Sequence, residues 1–254
     1  MTHPWLAERW ARGEAALGGA AVLGPASIGP LAAAGYDWVL LDCQHGPYDE
    51  GDAAAILRGL AGAAHAMAVR VAGHDAAAIG RVLDAGADAV IVPLVQSARE
   101  AEAAVAACRY PPAGVRSFGP GRPDLGADLA ALEARASCFV MVESAAALAD
   151  VDAIAATPGL AGIVAGPIDL AISLGIAPRD AAGSARVLGA LGVIAAACER
   201  AGIVAGVLAA GVEQAVRCVE LGYRFVGVSA DVVALRTAAA QEVEQVRAAR
   251  GART

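Results

Sequence analysis

Short apolar runs alternate with alanine-rich amphipathic segments along the whole chain. The runs span about four residues, which is too short for a helix, whereas the segments between them have helical length and periodicity. Regular alternation of this kind is typical of a parallel sheet or barrel. The runs predict strands at Ala20–Leu23, Trp38–Leu41, Ala68–Val71, Ala89–Val92, Phe139–Val142, Gly162–Ala165, Val204–Val207 and Phe225–Val228.

Eight predicted strands in a chain of 254 residues with 57% hydrophobic content suit one closed barrel better than two small domains. We therefore expect an α/β protein with a single (β/α)8 TIM-barrel domain over residues 1–254. The last segment, Val232–Ala249, is predicted to be a helix with charged residues on its solvated side. Helix starts are indicated by Asp75, by Ser97 with Glu100, and by Ser144, and helix ends by Gly86, Gly202 and Gly222.

The composition excludes several kinds of function. All basic residues are arginine, so mechanisms that need a lysine amine, such as Schiff-base or pyridoxal-phosphate chemistry, are unavailable. A net charge of −7 without a basic stripe argues against nucleic acid or an anionic membrane as partner. The five scattered cysteines indicate reduced core residues, and the N-terminal segment shows no signal peptide. We expect a cytoplasmic protein that acts on a small molecule.

Polar residues follow the predicted strands at their C-terminal ends, which meet on one face of a closed barrel. The second strand is followed by a group of polar residues, and the third, fifth and sixth strands each supply one charged residue. These residues are Asp42, Gln44 and His45, then Arg70, Glu143 and Asp169. Together they provide a base, a cation and carboxylates, which is the equipment of an enzyme active site.

Glu143 and Asp169 come from neighbouring strands, so their oxygens could share a hard divalent cation such as Mg²⁺ or Mn²⁺. The alternative is that the two carboxylates cap the helices that begin at Ser144 and Leu170. Backbone N–H groups after Gly166 could hold a substrate carboxylate at the start of a helical turn.

His45 follows a strand end, where acid or base catalysis is a more natural role than packing. Arg70 ends an apolar strand and must meet an anion there, either a structural carboxylate or a substrate oxyanion. Arg116 and Arg122 lie in a long Pro- and Gly-rich loop and are candidates for a second anionic contact, with solvated loop charges as the alternative.

These residues predict a reaction. A metal ion on Glu143 and Asp169 would bind a 2-oxo acid and acidify its methyl protons, while Arg70 stabilises the enolate and His45 moves a proton for the aldehyde partner. Such a site replaces the Schiff-base lysine that this chain lacks.

The ordered motifs of the chain resemble the HpcH/HpaI aldolase/citrate lyase family, whose members include metal-dependent pyruvate aldolases acting on 4-hydroxy-2-oxo acids and 2-dehydro-3-deoxy-sugar acids. The resemblance extends from about Gly18 to the C-terminal helix and implies a phosphoenolpyruvate/pyruvate-type barrel. The motifs are Tyr36-Asp37-Trp38-Val39-Leu40-Leu41-Asp42-x-x-His45, Val69-Arg70, Leu83-Asp84-x-Gly86-Ala87, Val92-Pro93, Arg109-Tyr110-Pro111-Pro112-x-Gly114-x-Arg116, Val142-Glu143 and Gly166-Pro167-x-Asp169-Leu170.

The resemblance implies a role for individual residues. It makes His45 the general acid or base, Arg70 the group that stabilises the transition state, and Glu143 and Asp169 the ligands of Mg²⁺, Mn²⁺ or Co²⁺. It assigns Asp84 to raise the basicity of His45, although Asp84 is predicted at a helix end on the opposite face. This pairing requires either that a neighbouring subunit supplies Asp84 or that the predicted helix boundary is wrong. Asp42 is the partner of His45 that the sequence itself favours.

The resemblance further implies that the backbone at Ile168 and Asp169 holds the pyruvate carboxylate, and that the protein is a hexamer whose last helix is exchanged between subunits. Two positions depart from the family pattern. Gln44 stands where many members have Glu, and Met141 stands at a substrate-contacting position where many members have Gln. Because Met141 cannot donate that hydrogen bond, we expect altered placement of the 2-oxo acid.

We therefore expect an aldolase that reversibly cleaves a 4-hydroxy-2-oxo acid into pyruvate, or hydroxypyruvate, and an aldehyde. Two alternatives remain open from the sequence. One is a citrate-lyase-like enzyme that cleaves a carbon–carbon bond of an acyl thioester. The other is a non-catalytic barrel that binds a ligand.

Overall fold

The computed structural model describes residues 4–62 and 65–251, and these residues form a closed barrel of parallel strands surrounded by helices. Neighbouring strands follow the order of the chain, and the last strand pairs with the first to close the barrel. The (β/α)8 TIM-barrel prediction is confirmed. The strands are β1 Ala16–Ala20, β2 Trp38–Asp42, β3 Ala66–Arg70, β4 Ala89–Val92, β5 Ser137–Val142, β6 Gly162–Ala165, β7 Val204–Leu208 and β8 Phe225–Ala230.

The first predicted strand is wrong in position, because β1 ends where the prediction Ala20–Leu23 began. Two glycines in β1 hid the strand from a reading based on apolar runs. Gly18 is needed there because a Cβ at this position would overlap the indole ring of Trp38. The third strand also begins and ends earlier than predicted, at Ala66–Arg70 instead of Ala68–Val71.

Helices pack around the barrel, and the three helix starts and three helix ends that the sequence indicated are confirmed. Asp75, Ser97 and Ser144 cap helices through hydrogen bonds from backbone N–H groups, whereas Gly86, Gly202 and Gly222 follow helices with positive φ. The helices are α1 Pro4–Ala11, α2 Ile28–Ala33, α3 Glu50–Gly59, α4 Ala76–Asp84, α5 Ala98–Cys108, α6 Leu129–Arg135, α7 Ala145–Ala149, α8 Val151–Ala155, α9 Pro167–Ser173, α10 Ala185–Ala201, α11 Val212–Glu220 and α12 Asp231–Gly251.

The capping box at Ser97 forms only in part, because the carboxylate of Glu100 accepts from the N–H of Gln96 and not of Ser97. Among the described helices, none combines the length and hydropathy that crossing a bilayer requires.

Aromatic rings fill the interior of the barrel near the N-terminal ends of the strands. The rings of Trp38 and Phe139 stack on Phe225 at centroid distances of 3.9 and 4.8 Å, and Trp10 of α1 meets Phe225 edge-on at 6.1 Å. The Trp10 indole N–H also donates to the carbonyl of Arg224, which fixes α1 beneath the barrel. Among the described residues, these rings close the interior at this end, and the C-terminal ends of the strands form the open end of the barrel.

We predict that Gly18→Ala destabilises the protein by about 1–3 kcal/mol, because the added methyl group must displace the packed Trp38 ring. Urea unfolding followed by far-UV circular dichroism measures the change. The control is Gly80→Ala in α4, where an added Cβ meets no atom within 4 Å and helix propensity favours alanine. Equal stability of the two variants would contradict the assigned packing of β1 on β2.

Candidate active site

The C-terminal ends of the strands bring the predicted site residues to one end of the barrel. Asp42 and Arg70 are the last residues of β2 and β3, and Glu143 directly follows β5. Asp169 lies in the first turn of α9, which begins just after β6. The side chains at this end surround the open mouth of the barrel, opposite the aromatic rings that close its other end.

Asp42 and Arg70 form a buried, two-pronged ion pair. They lie opposite each other across the β2–β3 ladder. The Nε of Arg70 donates to Oδ1 of Asp42 at 2.8 Å, and a terminal guanidinium nitrogen donates to Oδ2 at 2.5 Å. Burial raises the pKa of Asp42, but the hydrogen bonds and charge of Arg70 outweigh it, so that the net pKa is lowered. The anion that Arg70 needs is therefore the structural carboxylate of Asp42.

The same carboxylate organises the turn that carries His45. Its Oδ1 accepts hydrogen bonds from the backbone N–H groups of Gln44 and His45, at 3.0 and 3.3 Å. The contact is thus with the backbone of His45, and support of the imidazole ring by Asp42 stays a prediction. The side chain of His45 is exposed, and its charge acts on Glu143.

Asp84 lies at the C-terminal end of α4, at the end of the barrel opposite His45. Its carboxylate binds Arg116, whose Nε and terminal nitrogen donate at 3.3 and 2.7 Å. Within one chain Asp84 therefore does not reach His45. This agrees with the predicted position of Asp84 on the face of the barrel opposite His45.

Arg116 and Arg122 are not solvated loop charges, which corrects that alternative. Both are buried, at 4% and 8% exposure. Arg116 also stacks over the Tyr110 ring, while Arg122 binds the carboxylate of Asp124. Arg116 lies at the C-terminal end of α4 and Arg122 at that of α3, at the end of the barrel opposite the mouth, so neither is placed to bind a substrate anion at the mouth of the same chain.

Glu143 is a buried carboxylate that does not cap a helix. Ser144 caps α7, so the alternative role of Glu143 as a cap is wrong. Its Oε1 accepts from the N–H of Leu94 at 2.7 Å, and Leu94 adopts a left-handed conformation, with φ of 55°. Burial raises the pKa of Glu143, and the Leu94 N–H only partly opposes this effect, while the charge of Asp169 adds to it.

The residues around Glu143 fit a divalent cation. Two carboxylates that repel each other, one of them buried, are stabilised when a cation lies between them, and their oxygens are the donors that Mg²⁺ and Mn²⁺ prefer. Gly166 preserves the space, because a Cβ there would overlap Oε2 of Glu143. In the described ranges no cluster of three or more His, Cys, Asp or Glu side chains could hold a metal, so water and substrate would supply the other ligands.

Met141 and Ile168 complete the predicted substrate contacts. Met141 is buried inside the barrel, and its sulfur lies 3.9 Å from the terminal nitrogen Nη1 of Arg70. Ile168 is partly exposed in the first turn of α9, whose N-cap Gly166 makes no side-chain capping bond. The backbone N–H groups of Ile168 and Asp169 thus lie at the uncapped start of a helix.

A cavity of about 420 Å³ opens at the mouth beside the ion pair. We call it the mouth cavity. It is bounded by the ends of β1, β7 and β8 and by the start of α12. Its lining includes Asp42, Arg70, Val22, Leu208, Ala210 and Val233.

Asp231 is a residue of the mouth that the sequence analysis missed. Its buried carboxylate accepts from the N–H groups of Val22, Leu23 and Val232, at 2.7–3.1 Å, and so ties the loop after β1 to the start of α12. The predicted last strand ends at Val228, whereas β8 extends to Ala230, so the sequence did not mark Asp231 as the residue that follows the strand.

A family sequence model, related sequences and a solved structure all match this chain and indicate the same family. The sequence model described as HpcH/HpaI aldolase/citrate lyase matches residues 21–238. A hydroxypyruvate/pyruvate aldolase of Paraburkholderia phytofirmans is 40% identical, covering 85% of this chain and 87% of that protein. A 5-keto-4-deoxy-D-glucarate aldolase of Klebsiella pneumoniae is 36% identical, covering 82% of each. The crystal structure of an HpcH/HpaI aldolase/citrate lyase family protein from Burkholderia cenocepacia is 33% identical, with a TM-score of 0.87, covering 96% of this chain and 100% of that one.

We predict that Asp42→Ala and Arg70→Ala each destabilise the protein by about 3–5 kcal/mol, because each leaves its partner buried and unpaired. The double variant should cost less than the sum of the two, since neither charge is then stranded. Urea unfolding of the four proteins closes the thermodynamic cycle. Additive costs would show that the two side chains are not coupled.

Proposed function

The chain belongs to the HpcH/HpaI aldolase/citrate lyase family, and from this we propose that it is a class II aldolase, a carbon–carbon lyase that depends on a divalent metal ion. It reversibly cleaves a 4-hydroxy-2-oxo acid into pyruvate, or hydroxypyruvate, and an aldehyde. The observation that carries the proposal is the buried Glu143 beside Asp169 and Arg70 in a chain without lysine. A lysine-free aldolase must stabilise negative charge on the 2-oxo acid by other means.

Glu143 and Asp169 are the proposed ligands of the metal ion. A divalent cation held there supplies Lewis-acid polarisation of the 2-oxo acid, which lowers the pKa of the protons next to its carbonyl group. The Leu94 N–H keeps one oxygen of Glu143 fixed, which leaves Oε2 for the cation. The backbone N–H groups of Ile168 and Asp169 are proposed to bind the substrate carboxylate.

Arg70 is proposed to stabilise the oxyanion that develops during the reaction. Asp42 binds Nε and one terminal nitrogen, so the guanidinium is held rigidly and only Nη1 points away from the ion pair, towards Met141. A preorganised cation needs little rearrangement when negative charge forms beside it. Because the Met141 thioether is only a weak acceptor, it does not compete strongly for this nitrogen.

His45 is the proposed proton carrier. In the cleavage direction the C4 hydroxyl loses its proton and becomes the aldehyde carbonyl, the C3–C4 bond breaks, and C3 takes up a proton to give the methyl group of pyruvate. The exposed imidazole can exchange protons with water between these steps. Asp42 sets its position through the backbone of the turn.

We also propose a homo-oligomer, a hexamer, in which α12 is exchanged between subunits and Asp84 of one subunit supports His45 of another. Two features of the chain favour this assembly. Asp84 is partly exposed at the end of the barrel remote from His45. The helix α12 carries exposed apolar side chains, namely Val232, Val233, Leu235, Val243 and Val246.

The five cysteines are buried and free, which supports the proposal of a cytoplasmic protein.

The test is cleavage of 4-hydroxy-2-oxopentanoate in the presence of Mg²⁺, Mn²⁺ or Co²⁺. We expect pyruvate and acetaldehyde in equal amounts, measured with lactate dehydrogenase and with alcohol dehydrogenase, and loss of both after chelation with EDTA. Glu143→Gln should lower turnover by a factor on the order of 100 or more, because it removes the charge that holds the cation.

The matched control is Glu102→Gln, an exposed carboxylate of α5 away from the mouth, which should keep full activity. Undiminished cleavage by Glu143→Gln would contradict the assigned metal site. Cleavage of acyl thioesters in place of the hydroxy-oxo acid would favour the citrate-lyase-like alternative. Ligand binding without turnover would favour the non-catalytic barrel.

A further inference from the structure

The mouth cavity lies next to the proposed site of the 2-oxo acid and shares Arg70 with it. Glu143 and Asp169 lie on the β5 and β6 side of the mouth, whereas the cavity is bounded by β1, β7 and β8. The carboxylate pair and the cavity thus occupy different parts of one opening, with the guanidinium group between them. A second reactant can fit in the cavity while the first is held by the carboxylates.

The cavity contains no cation that is free for a second reactant. Among the described residues that line it, the charged side chains are Asp42 and Arg70, and they neutralise each other. The one guanidinium nitrogen outside this pair is proposed to serve the oxyanion of the reaction. Most other lining side chains are apolar or absent, as at Val22, Leu208 and Gly227.

Four backbone N–H groups in or beside the cavity wall already have acceptors within the protein. The N–H groups of Val22 and Leu23 donate to Asp231, the N–H of Ala209 to the carbonyl of Gly227, and the N–H of Ala210 to the side chain of Gln214. In many barrels free N–H groups after the seventh and eighth strands bind anions. Here the N–H groups of Val22, Leu23, Ala209 and Ala210 are occupied, and the carboxylate of Asp231 adds negative charge behind the wall.

We propose that the mouth cavity binds the aldehyde reactant and selects aldehydes without a charge over aldehydes that carry a carboxylate. This inference rests on the proposed aldolase function. A carboxylate in the cavity would lose water without gaining an unpaired cation or any of these four N–H donors, whereas an uncharged alkyl, ester or hydroxylated chain has less hydration to lose. The carboxylate of Asp231 behind the wall would also repel it.

The experiment compares succinic semialdehyde with its methyl ester as partners for pyruvate in the aldol addition. The two aldehydes have the same four-carbon chain and differ in the charge at its end. We expect kcat/KM for the ester to exceed that for the acid by a factor on the order of 100. Equal values, or faster use of the acid, would overturn the proposal.

A second variant tests whether the cavity itself makes the selection. Ala210→Arg adds a cation on the exposed rim of the cavity, and we expect it to raise kcat/KM for the acid about fivefold relative to the ester. The control is Ala127→Arg, an exposed loop alanine outside the cavity, which should leave the ratio unchanged. An unchanged ratio in Ala210→Arg would place the aldehyde elsewhere and overturn the proposal.

The cleavage of 4-hydroxy-2-oxopentanoate separates this inference from the function on which it rests. An enzyme that cleaves this compound but gives no product with the ester contradicts only the inference. An enzyme that neither cleaves it nor consumes pyruvate with any aldehyde contradicts the proposed function.

Discussion

The ion pair between Asp42 and Arg70 is the contact on which the mouth of the barrel depends. Two charges at adjacent strand ends would be costly to bury singly, and together they satisfy each other through two hydrogen bonds. Each residue of the pair also has a second function. Asp42 holds the turn with His45, and Arg70 presents its remaining nitrogen near the buried Glu143. A structural interaction thereby preorganises the groups that are proposed to act on substrate.

Small residues make this arrangement possible at both ends of the barrel. Gly18 lets the Trp38 ring fill the interior near the strand N-termini, so the barrel is closed there and open only at the mouth. Gly166 leaves space beside Glu143 that any larger residue would occupy. The position of the aromatic rings thus determines where a ligand can enter, and the absence of a side chain at Gly166 determines what can bind beside the carboxylates.

Much of the fold could be predicted because seven of the eight strands and several helices have a local signal of their own. The apolar run from Ala89 to Val92 is sufficient to predict β4, and the cap at Ser97 is sufficient to predict the start of α5. The position of β1 could not be predicted, since its glycines are explained only by the Trp38 ring from the next strand.

The sequence likewise predicts some residues of the candidate site, whereas their hydrogen-bond partners depend on how the chain packs. Charged residues after strands pointed to Glu143, Asp169 and Arg70, but not to their partners. Asp42 could bind either the nearby His45 ring or Arg70, and the register of β2 on β3 decides for Arg70. The burial of Arg116 depends on the path of a long loop around Asp84, which no local pattern encodes.

The most direct test of the account is exchange of the methyl protons of pyruvate into D2O, followed by NMR with Mg²⁺, Mn²⁺ or Co²⁺ and again after chelation. The measurement needs no knowledge of the natural aldehyde, because it detects the acidified methyl group itself. We expect exchange that requires both the metal ion and Glu143. Absence of exchange with pyruvate and with hydroxypyruvate under all these conditions would contradict it.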